Sequence, residues 1–266
     1  MRRLLSLLLF AFACSAAQAD EECLVVGDLR SGAVVVREGT ICGERIGPAS
    51  TFKFVLAVIG YDAGLLVDAD RPALPYRDAY QATRAADRTT VTPRSWMRDS
   101  VLWYSRELVA DLGAERFAAY VARLGYGNAD VSSERGTTNG STHSWLNRAL
   151  QVSPDEQMAF VRGVLTDTLP VSTQALRRAM DIVPVFDAAP GWTVHGKTGT
   201  GYIREPDGRL GNRQYGWFIG WATSLDRTLV FAALRKNERP GGNALGPRVR
   251  DALIARWSEI ARAASP

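Results

Sequence analysis

The chain is poor in the side chains that hold metals. Its two histidines, His143 and His195, lie far apart, and its three cysteines include no C-x-x-C pair, so neither a structural zinc site nor a compact metalloenzyme centre is expected. It also lacks a dense basic run: 32 Lys and Arg against 28 Asp and Glu give a formal charge of +4, and no nucleic-acid partner is expected. There is no glycine-rich phosphate loop, internal repeat, low-complexity tract or long Gly/Ser linker. Lysine itself is scarce, present only as Lys53, Lys197 and Lys236 in a chain that otherwise draws its positive charge from arginine. Arginine stays charged in any surroundings, whereas a buried lysine can lose its proton and act as nucleophile or base. Retention of Lys53 therefore has a chemical reason.

What is present is the composition of a folded protein, 266 residues with 46% hydrophobic and 23% charged side chains. The first residues read as a secretory leader: Arg2 and Arg3, an apolar run from Leu4 to Ala13 too short to span a bilayer, then Ala17-Gln18-Ala19 before acidic residues. Cleavage after Ala19 would leave one catalytic domain over 20–266, soluble in the periplasm and without a membrane span. Cys14 as a lipid-modified residue is disfavoured by the bulky Phe12 two positions earlier. In an oxidising compartment Cys23 and Cys42, at the two ends of an apparent hairpin, are expected to pair, the alternative being two free buried thiols.

Helical patterns run over Thr51 to Ala63, Ser100 to Leu112, Ala114 to Leu124 and Pro154 to Asp167, the last opened by a Ser153/Glu156 capping box. Strand-like runs follow at Trp192 to Lys197, Tyr215 to Thr223 and Thr228 to Arg235, and a closing helix covers Gly246 to Ala263. A hairpin, a helical block, consecutive strands and a last helix predict an α+β fold: an antiparallel sheet covered by helices, with no alternating βαβ units. Thr92 to Asp99 and Gly201 to Gln214 read as loops, the second polar and mobile.

Two motifs carry chemistry. Ser50-Thr51-Phe52-Lys53 is an S-x-x-K at a predicted helix start, where i, i+3 spacing puts hydroxyl and amine on one face and apolar neighbours surround the amine. Lys197-Thr198-Gly199 is a K-T-G at the end of an apolar strand, where a cation and a hydroxyl can meet a carboxylate. Either alone is weak. Their combination, with the second about 150 residues after the first, occurs in few kinds of protein.

With these motifs the sequence resembles the penicillin-recognising serine enzymes, and within them the class D β-lactamases. Ser100-Val101-Leu102 sits where that family has S-x-V, with Leu102 in place of the usual valine. Tyr126-Gly127-Asn128 matches Y-G-N, Trp145-Leu146 a W-L pair, and Gly216-Trp217-Phe218-Ile219-Gly220-Trp221 the aromatic strand after K-T-G. No S-D-N is present, nor a clear counterpart of the separate glutamate base of class A. The resemblance implies a three-layer α-β-α fold and a β-lactam substrate. It implies Ser50 as nucleophile and Lys53 as general base after CO2 converts it to N6-carboxylysine, with no other cofactor than this CO2 or bicarbonate. Phe52, Leu102, Trp145 and Leu146 would keep Lys53 dry, and the Trp145 indole would donate to the carbamate. Ser100 would relay a proton to the leaving nitrogen with Lys197 setting the local potential, and the N–H groups of Ser50 and Thr200 would form the oxyanion hole beside Gly199. Lys197, Thr198 and Arg248 would hold the substrate carboxylate, with Arg250 close enough to compete for that role. Tyr126-Gly127-Asn128 reads as a structural turn. A β-lactam sensor or a small penicillin-binding peptidase, each acylated at Ser50, remains the alternative, and monomer and homodimer are both open.

Overall fold

The computed structural model describes residues 21–133, 143–146, 149–205, 207, 209–239 and 243–264. The leader and its cleavage point lie outside the described residues. Six strands, β1 (Glu22–Asp28), β2 (Val34–Gly39), β3 (Val185–Asp187), β4 (Thr193–Arg204), β5 (Leu210–Thr223) and β6 (Thr228–Glu238), form one sheet in the order β2-β1-β6-β5-β4-β3, every pair antiparallel. The expected α+β architecture is observed. Inner strands must be apolar on both faces: in β1, Cys23 and Val25 enter one core while Leu24 and Val26 enter the other.

Those two cores define three layers. On one face lie α1 (Phe52–Asp62), α2 (Pro93–Asp99), α3 (Leu102–Leu112), α4 (Ala114–Arg123), α5 (Pro154–Leu165) and α6 (Thr173–Asp181). On the other lie α7 (Leu245–Ala255) and α8 (Trp257–Ala263). In β5 the alternation is explicit, with Trp217, Ile219 and Trp221 facing the helical lobe and Phe218 and Ala222 facing α7 and α8. Helix α1 is buried from Phe52 to Tyr61 on every side, between sheet and lobe. A helix so placed carries Lys53, near its start, into the core.

Three readings of the sequence are corrected. Thr92 to Asp99 is not a loop: Pro93–Asp99 is α2, opened by a capping box in which Thr92 and Ser95 satisfy each other's backbone N–H groups. Serine stands there in place of the usual Glu or Gln, which hid the signal. Gly201 to Gln214 is mostly strand, because β4 runs on to Arg204 and β5 starts at Leu210. This ribbon projects past the apolar part of the sheet, so its polar residues pair through the backbone without a hydrophobic pattern. The closing helix breaks at Arg256 into α7 and α8. Cys23 and Cys42 form a disulfide with Cα atoms 5.1 Å apart, closing a loop of sequence separation 19, which contributes about 3 kcal/mol by loop-closure entropy. Among the described residues no helix is long and apolar enough to cross a membrane.

Candidate active site

Ser50 lies in a 3-10 turn, Ala49–Thr51, that runs directly into α1. Ala49 before it has φ +48°, a left-handed conformation that costs a non-glycine residue about 1 kcal/mol or more and persists only where neighbours enforce it. The enforcing groups are buried. The Thr51 hydroxyl donates to the Pro48 carbonyl (2.6 Å), Gln157 Nε2 donates to Thr51 Oγ1 (2.8 Å), and the Tyr126 hydroxyl donates to Gln157 Oε1 (3.1 Å). Tyr126-Gly127-Asn128 is thus a clasp: Asn128 Nδ2 donates to the Ala149 carbonyl (2.7 Å), and Asn128 Oδ1 accepts from the Gln151 N–H (2.9 Å). Gly127, at φ +56°, leaves no room for a Cβ, which would meet the Gln151 carbonyl oxygen at 2.1 Å.

At the second position of α1, Lys53 is 2% exposed, with Nζ 3.4 Å from Ser50 Oγ. Burial, reinforced by the charges of Lys197, Arg84 and Arg106 and only partly opposed by Asp87, holds its amine well below the ordinary lysine range. Trp145 stacks on Phe52 at 5.3 Å and is itself 1% exposed. Leu102 is half-buried, while Leu146, expected to cover Lys53, is 36% exposed.

The second lysine enters from the sheet. Lys197 on β4 is 2% exposed, and its Nζ donates to Ser100 Oγ (2.5 Å) and to the Thr198 carbonyl (3.0 Å). Ser100 caps the C-terminus of α2 with φ +58° and aims its hydroxyl at this amine. Burial, with the charges of Arg250 and Arg84 adding and Asp99 opposing, lowers Lys197 to about 7. Strand β4 packs on the nucleophile's turn at Gly199, where a Cβ would come within 3.0 Å of the Pro48 oxygen and 3.2 Å of the Ser50 nitrogen. A side chain there would push the K-T-G strand away from Ser50. The next residue, Thr200, accepts a hydrogen bond at Oγ1 from the Gly246 N–H in the first turn of α7 (2.8 Å), which docks the helix carrying Arg248 against the strand. Arg250 is engaged with Asp251 (2.8 Å) and lies over the Phe186 ring at 4.9 Å.

The site therefore brings Ser50, Lys53, Ser100 and Lys197 into two serine–lysine pairs, with Gly199 against the nucleophile's turn and Thr200 against α7. Sequence reading missed Arg84, Asp87, Arg106 and Gln157. An Arg84/Asp87 pair at i, i+3 is the only hint of the first two, and it lies in a segment without helical or strand periodicity. The field of Lys197, Arg84 and Arg106 around a neutral Lys53 suits an anion at that position. Among the described residues, no group of three His, Cys, Asp or Glu side chains converges to hold a metal.

Residues 23–255 match the family described as penicillin binding protein transpeptidase domain. The chain is 39% identical over 254 residues to β-lactamase OXA-9 of Klebsiella pneumoniae, covering 90% of this chain and 92% of the relative. It is 29% identical to β-lactamase OXA-1 of Escherichia coli, covering 78% and 72% respectively. Among solved structures, the class D β-lactamase OXA-427 superposes with a TM-score of 0.85 at 39% identity, covering 92% of this chain and all of that one. The C-terminal domain of the Bacillus licheniformis BlaR penicillin receptor shares the fold, with a TM-score of 0.71 at 22% identity and 92% of each chain covered.

Proposed function

The chain belongs to the class D β-lactamases, and on that premise we propose that it hydrolyses the β-lactam amide of penicillin-type antibiotics through an acyl-enzyme on Ser50, with Lys53 as general base, and so confers resistance on its host. The observation that carries this reading is the meeting of two buried lysines with two serines, Lys53 with Ser50 and Lys197 with Ser100.

The low basicity of Lys53 leaves its amine neutral and able to attack CO2. The carbamate so formed would supply an anionic base, with the Trp145 indole N–H and the surrounding cations as its stabilising partners. Ser50 transfers its proton to the base at Lys53 as its oxygen attacks the lactam carbonyl. The N–H groups of Ser50 and Thr200 receive the developing oxyanion, each worth about 3 kcal/mol in the transition state. As the carbon–nitrogen bond breaks, Ser100 gives its proton to the departing nitrogen and recovers one from Lys197, which is recharged by the proton that the base at Lys53 took from Ser50, leaving that base free for the second step. Water then transfers a proton to the base at Lys53, attacks the ester and releases the ring-opened acid, and Ser50 regains its proton. Lys197, Thr198 and Arg248 hold the substrate carboxylate, with Arg250, whose charge acts on Lys197, as the competing arginine. Leu102, Leu146 and Gly199 line the way in.

Export to the periplasm after removal of residues 1–19, with 20–266 as the catalytic unit, completes the reading. The Cys23–Cys42 disulfide supports an oxidising destination. The test is turnover of a chromogenic cephalosporin together with intact-mass measurement. A transient adduct on Ser50 with bulk hydrolysis, enhanced when bicarbonate is restored to depleted enzyme, is the expected result. A persistent adduct without turnover would instead mark a β-lactam receptor.

A further inference from the structure

Ser100 is held in a strained turn by groups outside the catalytic motifs. Its N–H and that of Val101 both bond the Trp96 carbonyl, which closes α2 but does not fix where the Ser100 hydroxyl points. That task falls to the short turn Ala85–Asp87 and the residue before it. Arg84 grips the Asp87 carboxylate with two nitrogens (Nε 3.0 Å, Nη2 2.6 Å), and the same Nη2 donates to the carbonyl of Asp99, the residue preceding Ser100, at 2.6 Å. On the far side of Ser100, Trp103 Nε1 donates to the Asp87 backbone carbonyl (2.8 Å). The chain on both sides of Ser100 is therefore tied to one point, the Arg84–Asp87 turn. Asp87 is 4% exposed and cannot shift freely, whereas the Arg84 side chain is about half exposed and reaches in from the surface.

We infer that Arg84 is a positioning residue for acylation, clamping the Asp99 carbonyl to the Asp87 anchor so that the left-handed turn keeps the Ser100 hydroxyl on Lys197. A left-handed serine reverts to a commoner conformation unless its surroundings over-determine it, and a displacement of about 1 Å at a proton-relay group is enough to slow a reaction about a hundredfold. Arginine suits the place because its planar fork makes the carboxylate and carbonyl bonds together; a lysine can make only one well. The Arg84 charge also contributes to the low basicity of both active-site lysines.

This inference rests on the proposed role of Ser100 in delivering a proton to the leaving nitrogen, a step that belongs to acylation and not to hydrolysis of the acyl-enzyme. In full-length R84Q and R84K, single-turnover kinetics with a chromogenic cephalosporin resolve the two steps, and amide hydrogen exchange reads the Ser100 and Val101 N–H groups. The expected result in R84K, which keeps the cation near both lysines but loses the fork, is acylation slower by about tenfold with deacylation within about twofold of the parent, and in R84Q acylation slower by up to about a hundredfold with a smaller loss in deacylation from the missing charge. Exchange at Ser100 and Val101 should be about tenfold faster, with R84K intermediate in both. Equal slowing of the two steps, or unchanged exchange at the turn, overturns the inference. Because R84K keeps a cation beside Asp87, it carries the same test should R84Q fail to fold. Ser100→Ala is run alongside: if it acylates as fast as the parent, the proton-delivery reading fails, and exchange at the turn alone then decides whether Arg84 holds it.

Discussion

The two serine–lysine pairs look alike and are built for opposite ends. Lys53 and Lys197 are equally buried, and each has its amine near a serine hydroxyl. Lys197, however, donates to two oxygens at hydrogen-bond distance and has Asp99 to favour its charged form, so it falls only to about 7 and can hold a proton near neutrality. Lys53 has a 3.4 Å contact with Ser50 and faces Lys197, Arg84 and Arg106 against Asp87, and burial followed by these charges holds its amine well below the ordinary lysine range. One fold thus keeps one amine neutral and nucleophilic and the other poised to exchange a proton. Burial is the largest cause for both amines, and the neighbouring charges adjust it.

That contrast can be broken most completely at the neutral amine. Lys53→Ala should lower turnover of a chromogenic cephalosporin by about a thousandfold or more, measured as kcat, because both half-reactions lose their base. Ser100→Ala should be milder and one-sided, slowing acylation by about a hundredfold while deacylation changes little in stopped-flow traces. Gly199→Ala leaves both lysines in place but forces a Cβ against Pro48 and Ser50. It should reduce acylation about tenfold without altering CO2 uptake at Lys53.

The smallest effect is on stability, and it has the opposite sign. Lys197 is at about 7 in the folded protein and near 10.5 when unfolded, so between those values the unfolded chain binds more protons and folding stability rises with pH. Below about 7 the burial penalty is fully present. Lys197→Met should therefore melt higher than the parent at pH 6, by at least about 3 °C, with the gap narrowing as pH rises towards 10. A gap independent of pH would mean that Lys197 does not titrate in that window.

Much of this site could be read from residue order because its chemistry depends on local spacing. Ser50 and Lys53 are one helical turn apart, so their partnership follows from periodicity, whereas the meeting of Lys197 with Ser100 across 97 residues is what the family resemblance implied. The disulfide followed from two cysteines at the ends of a hairpin. The bracing followed from neither. Arg84 meets Asp99 across 15 residues of chain and Gln157 meets Thr51 across 106, contacts that exist only once the lobe has packed. The α2 helix was missed because its capping box uses serine, and the far ends of β4 and β5 because a ribbon beyond the core needs no apolar face.

The central claim is that Lys53 is the amine that captures CO2. Carbon-13 NMR of the enzyme equilibrated with labelled bicarbonate tests it directly. The account predicts one protein-bound carbamate signal, absent in Lys53→Ala and retained in Lys197→Ala; no signal in the parent, or one that survives loss of Lys53, would contradict it.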